Sequence, residues 1–243
     1  MPSTSNSKTA ARSRADEVVA SLERLGNKRT HEEMATRYGI VTPRAFGVPM
    51  SGMQRVAKGL GKDHALAGAL WDTGWYEARI VAALIDDPAL VTAAQMDRWC
   101  RDFDNWAICD TLCFKLFDRT PHAWRKVEQW SARDGEFVKR AAFALLASLA
   151  LHDNMAPDSR FTRYLPLIER AAGDQRNFVK KGVSWALRAI GGRSLPLNEA
   201  AMATAERLAA SPSAAARWVG KDALRAFTPA LRKRLAARVR AAR

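Results

Sequence analysis

The chain has 243 residues, 48% of them apolar and 26% charged, so it can bury a substantial core and is not a disordered chain. Lysine and arginine number 39 against 25 acidic residues, a net charge of +14 that points to a polyanionic partner, nucleic acid ahead of a membrane surface. Three cysteines without a C-x-x-C pair (Cys100, Cys109, Cys113) and four scattered histidines exclude a disulfide framework and argue against a zinc site.

In chain order, residues 1–14 are Ser/Thr-rich and basic, with no apolar stretch. They read as a flexible basic tail, with a transit peptide as the alternative. Residues 15–243 are expected to form a single repeat domain. Its punctuation is helical. Asp87-Pro88, Thr120-Pro121, Ser211-Pro212 and Thr228-Pro229 each place a capping side chain before proline, which is tolerated at a first helical position because its missing N–H had no partner there. Gly191-Gly192 reads as a helix stop. Phe137, Ala141, Ala144, Leu145 and Leu149 show helical spacing, and alternating β-branched runs and Asn-Gly turns are absent, so the fold class is all-α. The longest apolar run, Ala141 to Leu151, is interrupted by Ser148 and too short to span a bilayer; it reads as a buried helix in a cytoplasmic protein.

The helices repeat. Arg79, Asp110, Arg140, Lys181 and Lys221 begin comparable apolar segments at intervals of 31, 30, 41 and 40 residues, one helix pair per repeat. This predicts a right-handed superhelical solenoid of HEAT-like pairs, monomeric, whose second helices line a concave basic groove. An ordinary helical bundle is the competing arrangement, and solvated outer faces the competing reading of the charge. From Ser213 onward the chain carries nine basic residues against Asp222 alone, a face suited to phosphates or a soluble terminal helix.

No Walker, dinucleotide-binding, zincin or nucleophile-elbow motif occurs, which disfavours ATP, NAD and metal chemistry; no cofactor is expected. Eight tryptophans stand out. Trp99, Trp124 and Trp130 read as core. Trp106 and Asp110 lie four apart on one helical face, and burying that carboxylate unpaired would cost about 3 kcal/mol or more, so the pair reads as facing a groove. Trp185 follows Lys181 by four, with Arg188 on the next turn.

The order of these features resembles the DNA alkylation repair family, the AlkD type of HEAT-like-repeat glycosylase. It is carried by Glu33 to Tyr38, Phe46-Gly47-Val48-Pro49 with Arg55 to Lys58, Leu70-Trp71 with Glu77-Ala78-Arg79, Phe103 to Asp110, Phe137 to Arg140, and Phe178 to Lys181 leading to Ser184 to Arg188. The resemblance spans about residues 16–226. It implies monofunctional excision of cationic alkylated purines, N3-methyladenine and N7-methylguanine, from double-stranded DNA. It places the catalytic pair on Trp106 and Asp110, a second aromatic on Trp185, the groove arginine on Arg140 and an aromatic near the DNA at Tyr38. Ala107 departs from relatives that carry an acid there. Arg79, Lys139, Lys180, Lys181, Arg188, Arg217, Lys221 and Arg225 are the expected phosphate contacts. A non-catalytic nucleic-acid-binding module is the alternative, followed by a protein-interaction scaffold.

Overall fold

The computed structural model describes residues 4–241, with side chains from 9 to 237. Among the described residues every regular element is helical, and none is long and apolar enough to cross a membrane. The chain divides into two compact units, Met1–His122 and Ala123–Arg243. The first contains α1 (Thr4–Arg24), α2 (Lys28–Thr36), α3 (Met50–Leu60), α4 (His64–Asp72), α5 (Tyr76–Ile85), α6 (Ala93–Arg101), α7 (Trp106–Lys115) and a 3-10 turn, Phe117–Arg119. The second contains α8 (Ala123–Ser131), α9 (Glu136–His152), α10 (Asp158–Thr162), α11 (Leu165–Ala171), α12 (Asn177–Gly191), α13 (Leu195–Ala209), α14 (Ala214–Ala226) and α15 (Pro229–Ala241).

Within each unit the helices stack in pairs. In the first, α4 packs on α5, and α5 touches α3 on one side and α7 on the other. In the second, α8 packs on α9, α11 on α12 and α13 on α14, while α9, α12 and α14 form a continuous inner row. The five repeat markers fall on five different second helices: Arg79 on α5, Asp110 on α7, Arg140 on α9, Lys181 on α12 and Lys221 on α14. The uneven spacing has a plain origin. The first helices α6 and α8 have nine residues each, whereas two short helices, α10 and α11, precede α12, and α13 has fifteen.

The core follows the apolar pattern. Trp71 of α4 stacks on Trp99 of α6 with ring centroids 4.3 Å apart, and both are buried. In α9 every residue from Ala141 to Ala150 is buried, Ser148 included, whose hydroxyl donates to the Ala144 carbonyl; Leu151 emerges at 47% exposure. The buried-helix reading therefore holds up to residue 150. Close approach fixes Gly220: a Cβ there would stand 2.4 Å from the Ala209 nitrogen, so α13 and α14 meet backbone to backbone.

Several expected helix signals act differently. Thr228-Pro229 caps as expected, with the Leu231 N–H donating to the Thr228 hydroxyl at 3.2 Å. Asp87 instead closes a turn by accepting from the Ala89 N–H, and α6 is capped by Thr92. The Thr120 hydroxyl bonds back to the Phe117 carbonyl, and α8 begins only at Ala123. Ser211 accepts from the Ser213 N–H, and Ser213 itself caps α14. In each case the polar residue satisfies its own turn and leaves the helix to a later neighbour. Gly191-Gly192 does end α12. The segment expected as a tail is helical from Thr4, because Ala11 and Ala15 are buried and Arg14 pairs with Asp63 at 2.6 Å. Residues 1–3 lie outside the described residues.

Candidate nucleic-acid interface

In the first unit the site begins with a cap. Asn105 is the N-cap of α7, and its side-chain oxygen accepts from the Ala107 and Ile108 N–H groups at 3.0 and 3.1 Å. Its amide donates to Asp104 at 2.6 Å, and Asp104 in turn accepts from the Thr42 hydroxyl at 3.0 Å. This chain of bonds locks the start of α7, where Trp106 is the first residue. The Trp106 indole N–H donates to the Tyr38 carbonyl at 2.9 Å, which fixes the ring's orientation. Asp110 stands one turn along, and both side chains are half-buried while Ile108, Cys109 and Leu112 on the other faces are fully buried. The Trp–Asp face therefore points away from the core, as its spacing predicts. Ala107 is buried, so an acid there would enter the packed side of the helix. Tyr38 is 46% exposed, with the Arg37 guanidinium 5.3 Å from its ring centre.

Behind this face lies a second polar anchor. Glu77 is fully buried, and its carboxylate accepts from the N–H groups of Phe46, Gly47 and Val48 at 2.8 to 3.2 Å. That explains why Phe46-Gly47-Val48-Pro49 and Glu77 appear together in the sequence: the acid folds the loop. Gly47 has φ +77°, and a Cβ there would meet the Asn27 carbonyl at 2.4 Å. Arg79 is drawn inward as well. It donates to the Asp102 carbonyl at 3.2 Å and lies 4.9 Å over the Trp71 ring, with 16% of its side chain exposed, so it ties α5 to the end of α6 rather than standing free as a phosphate contact.

In the second unit the expected residues lie on the inner row. Arg140 is 6% exposed and donates to the Phe178 carbonyl at 2.7 Å, joining α9 to the start of α12. Lys139 pairs with Asp174 at 3.6 Å. The Arg176 guanidinium holds the Asp174 carboxyl below the usual carboxylate range and also bonds the Asp134 carbonyl. Trp185 is half-buried on α12. Lys180 lies 5.2 Å over the Trp218 ring, and Lys181 and Lys221 are exposed. Arg188 and Arg225 both pair with Asp222, at 3.5 and 2.8 Å, and Asp222 also accepts from the Ser184 hydroxyl at 2.6 Å. Burial pushes the Asp222 carboxyl up, but the Ser184 hydroxyl and the two arginines leave it below its ordinary value. Arg217 donates to the Ser211 and Pro212 carbonyls and so closes the loop after α13. Of the expected cations, Lys181 and Lys221 are the least committed, and Arg217 the most plainly structural after Arg79. The side chains of Arg238, Arg240 and Arg243 lie outside the described residues.

Trp99 and Trp130 are core, but Trp124 is not fully so. It is half-buried at the mouth of a cavity of about 800 Å³ together with several arginines of α8, α10 and the segment to α11. The sequence carried a signal for this cluster, since Arg160, Arg163 and Arg170 alternate with the inward-facing Phe161, Tyr164 and Ile168.

The helix pairs are those of a HEAT-like repeat protein. A solved structure described as a new family of proteins related to the HEAT-like repeat DNA glycosylases, with affinity for branched DNA structures, aligns with a TM-score of 0.70 at 24% identity, covering 79% of this chain and 81% of that one. A designed armadillo repeat protein aligns over 94% of this chain and 96% of its own, at 14% identity and a TM-score of 0.38. Comparison with curated proteins returns no match. The family model described as DNA alkylation repair enzyme matches residues 18–227, and the chain belongs to that family.

Proposed function

We propose that the protein is a monofunctional DNA glycosylase that releases cationic alkylated purines from duplex DNA. The observation that carries this reading is the Trp106–Asp110 face, half-buried, held at the capped start of α7, with its indole anchored on the Tyr38 carbonyl. Family membership supports the repair chemistry.

The chemistry suits these groups. Alkylation at N3 or N7 makes the base a cation. When the C1′–N bond breaks, its electron pair stays on the base and neutralises it, so no strong acid is needed. Positive charge moves to the sugar, where the Asp110 carboxylate stabilises it and orients the water that attacks C1′; the proton released passes to solvent. An indole face attracts a cation by about 0.5–2 kcal/mol, which suits Trp106, one turn from Asp110, to the sugar and the leaving base. Only the part of this attraction that grows toward the transition state raises the rate. Lys181 and Lys221 contact phosphates, and Arg140 acts through the strand of backbone it holds.

Incubation with methylated duplex DNA and chromatography of the freed bases tests the activity. Asp110→Asn should lower base release by orders of magnitude while leaving duplex affinity in place; unchanged release kinetics would reject the assignment. A second reading, a branched-DNA-binding protein without base release, is favoured by the description of the structural neighbour. It predicts tighter retention of a four-way junction than of a duplex and no freed base.

A further inference from the structure

The cavity of about 800 Å³ in the second unit opens mainly between the outer helices α8, α10 and α11; Lys139 of α9 also lines it, whereas Arg140, Lys181 and Trp185 do not. Arg125 enters it from α8, Arg160 from α10, Arg163 from the link that follows, and Arg170 from α11. Among the described residues none of these four arginines forms an ion pair, although half-buried acids of the same unit, Asp174, Glu169 and Asp222, each pair a cation. The acid in the cavity, Glu128, accepts the Tyr164 hydroxyl at 2.9 Å, and burial beside that carboxylate pushes the Tyr164 phenol up. Four guanidiniums gathered around a single carboxylate, already engaged by the Tyr164 hydroxyl, repel one another, and an incoming polyanion relieves that repulsion. Guanidinium forks match phosphate oxygens in pairs.

The aromatic lining narrows the ligand. Arg160 lies 4.2 Å over the Trp124 ring, Phe161 meets that ring edge-on at 5.2 Å, and Tyr164 lies tilted against it at 5.5 Å. The indole is covered and offers no platform for an unstacked base, which disfavours single strands held by stacking. What remains on offer is charge.

We infer that this crevice is a second DNA-binding site, which holds the phosphate backbone of a further duplex segment without reading its sequence. The inference rests on DNA being the ligand of the protein, but it concerns a surface that the excision chemistry does not use. The test is sedimentation of the full chain with excess short unmethylated duplex at low salt. Two duplexes per chain are expected for the natural protein, and one for Arg163→Glu/Arg170→Glu, which should keep its helical circular dichroism and release methylated bases at the natural rate. A natural protein that binds one duplex, lost with Lys181→Glu and untouched by the double reversal, overturns the second site alone. Two duplexes retained by the double reversal overturn it as well. No duplex bound at all overturns the DNA reading itself.

Discussion

Glu77 shows how much a single side chain can decide. A buried carboxylate is costly unless its lone pairs are satisfied, and three loop N–H groups do that here. Glu77→Gln can keep its carbonyl oxygen on those N–H groups, whereas Glu77→Ala leaves them buried and unsatisfied and should lower stability by about 3 kcal/mol in denaturant unfolding, more than Glu77→Gln does. The sequence shows Glu77 and the Phe46 loop as separate motifs, thirty residues apart, and no periodicity joins them. The same limit applies to Arg79 and Arg217. Their charge is legible, but whether a guanidinium meets a phosphate or a backbone carbonyl depends on which loop end lies within reach, and that is tertiary information.

At the scale of the element, α7 is the best example of a site built by a helix terminus. The Asn105 side chain satisfies two N–H groups of the first turn, and Trp106 and Asp110 inherit their position from it. Asn105→Ala should cost about 1 kcal/mol of stability, and should reduce base release further than that loss of folded protein explains, because the indole loses its fixed setting. Activity measured at a temperature where the variant is fully folded separates the two effects. The face shared by Trp106 and Asp110 was legible from their spacing of four, since helical geometry alone brings them together. Helix beginnings were less so: Asp87, Thr120 and Ser211 each precede proline, yet bond within their own turns. A cap and an Asx- or Ser-type turn use the same residues, and only the path of the following backbone distinguishes them.

At the scale of the molecule, the repeat was legible because the apolar stripe and the marker residue recur together, one per helix pair. The division at His122 and Ala123 was not, since no composition shift marks it. The net charge of +14 has a counterpart inside the second unit, where a few acids hold many cations. Asp174 and Asp222 both have carboxyls below the ordinary value, Asp174 chiefly through the Arg176 guanidinium, Asp222 through the Ser184 hydroxyl and two arginines acting against burial. A depressed folded value means the stabilisation is present above the unfolded pKa, about 3.9, and is lost as pH falls through the folded one. Thermal unfolding between pH 6 and pH 3 should therefore show a steep fall below about pH 4, and Asp222→Asn should flatten part of it.

Cys100, Cys109 and Cys113 are all buried, and burial together with the Cys109 neighbour pushes the Cys113 thiol well up. The thiolate is the form that electrophiles attack. Under the proposed excision of alkylated bases, the protein meets the same electrophiles that damage its substrate, and sulfur is ordinarily a competing target for them. Enclosed and held protonated, this sulfur presents little thiolate, so an alkylating reagent such as iodoacetamide should label it only once the protein unfolds.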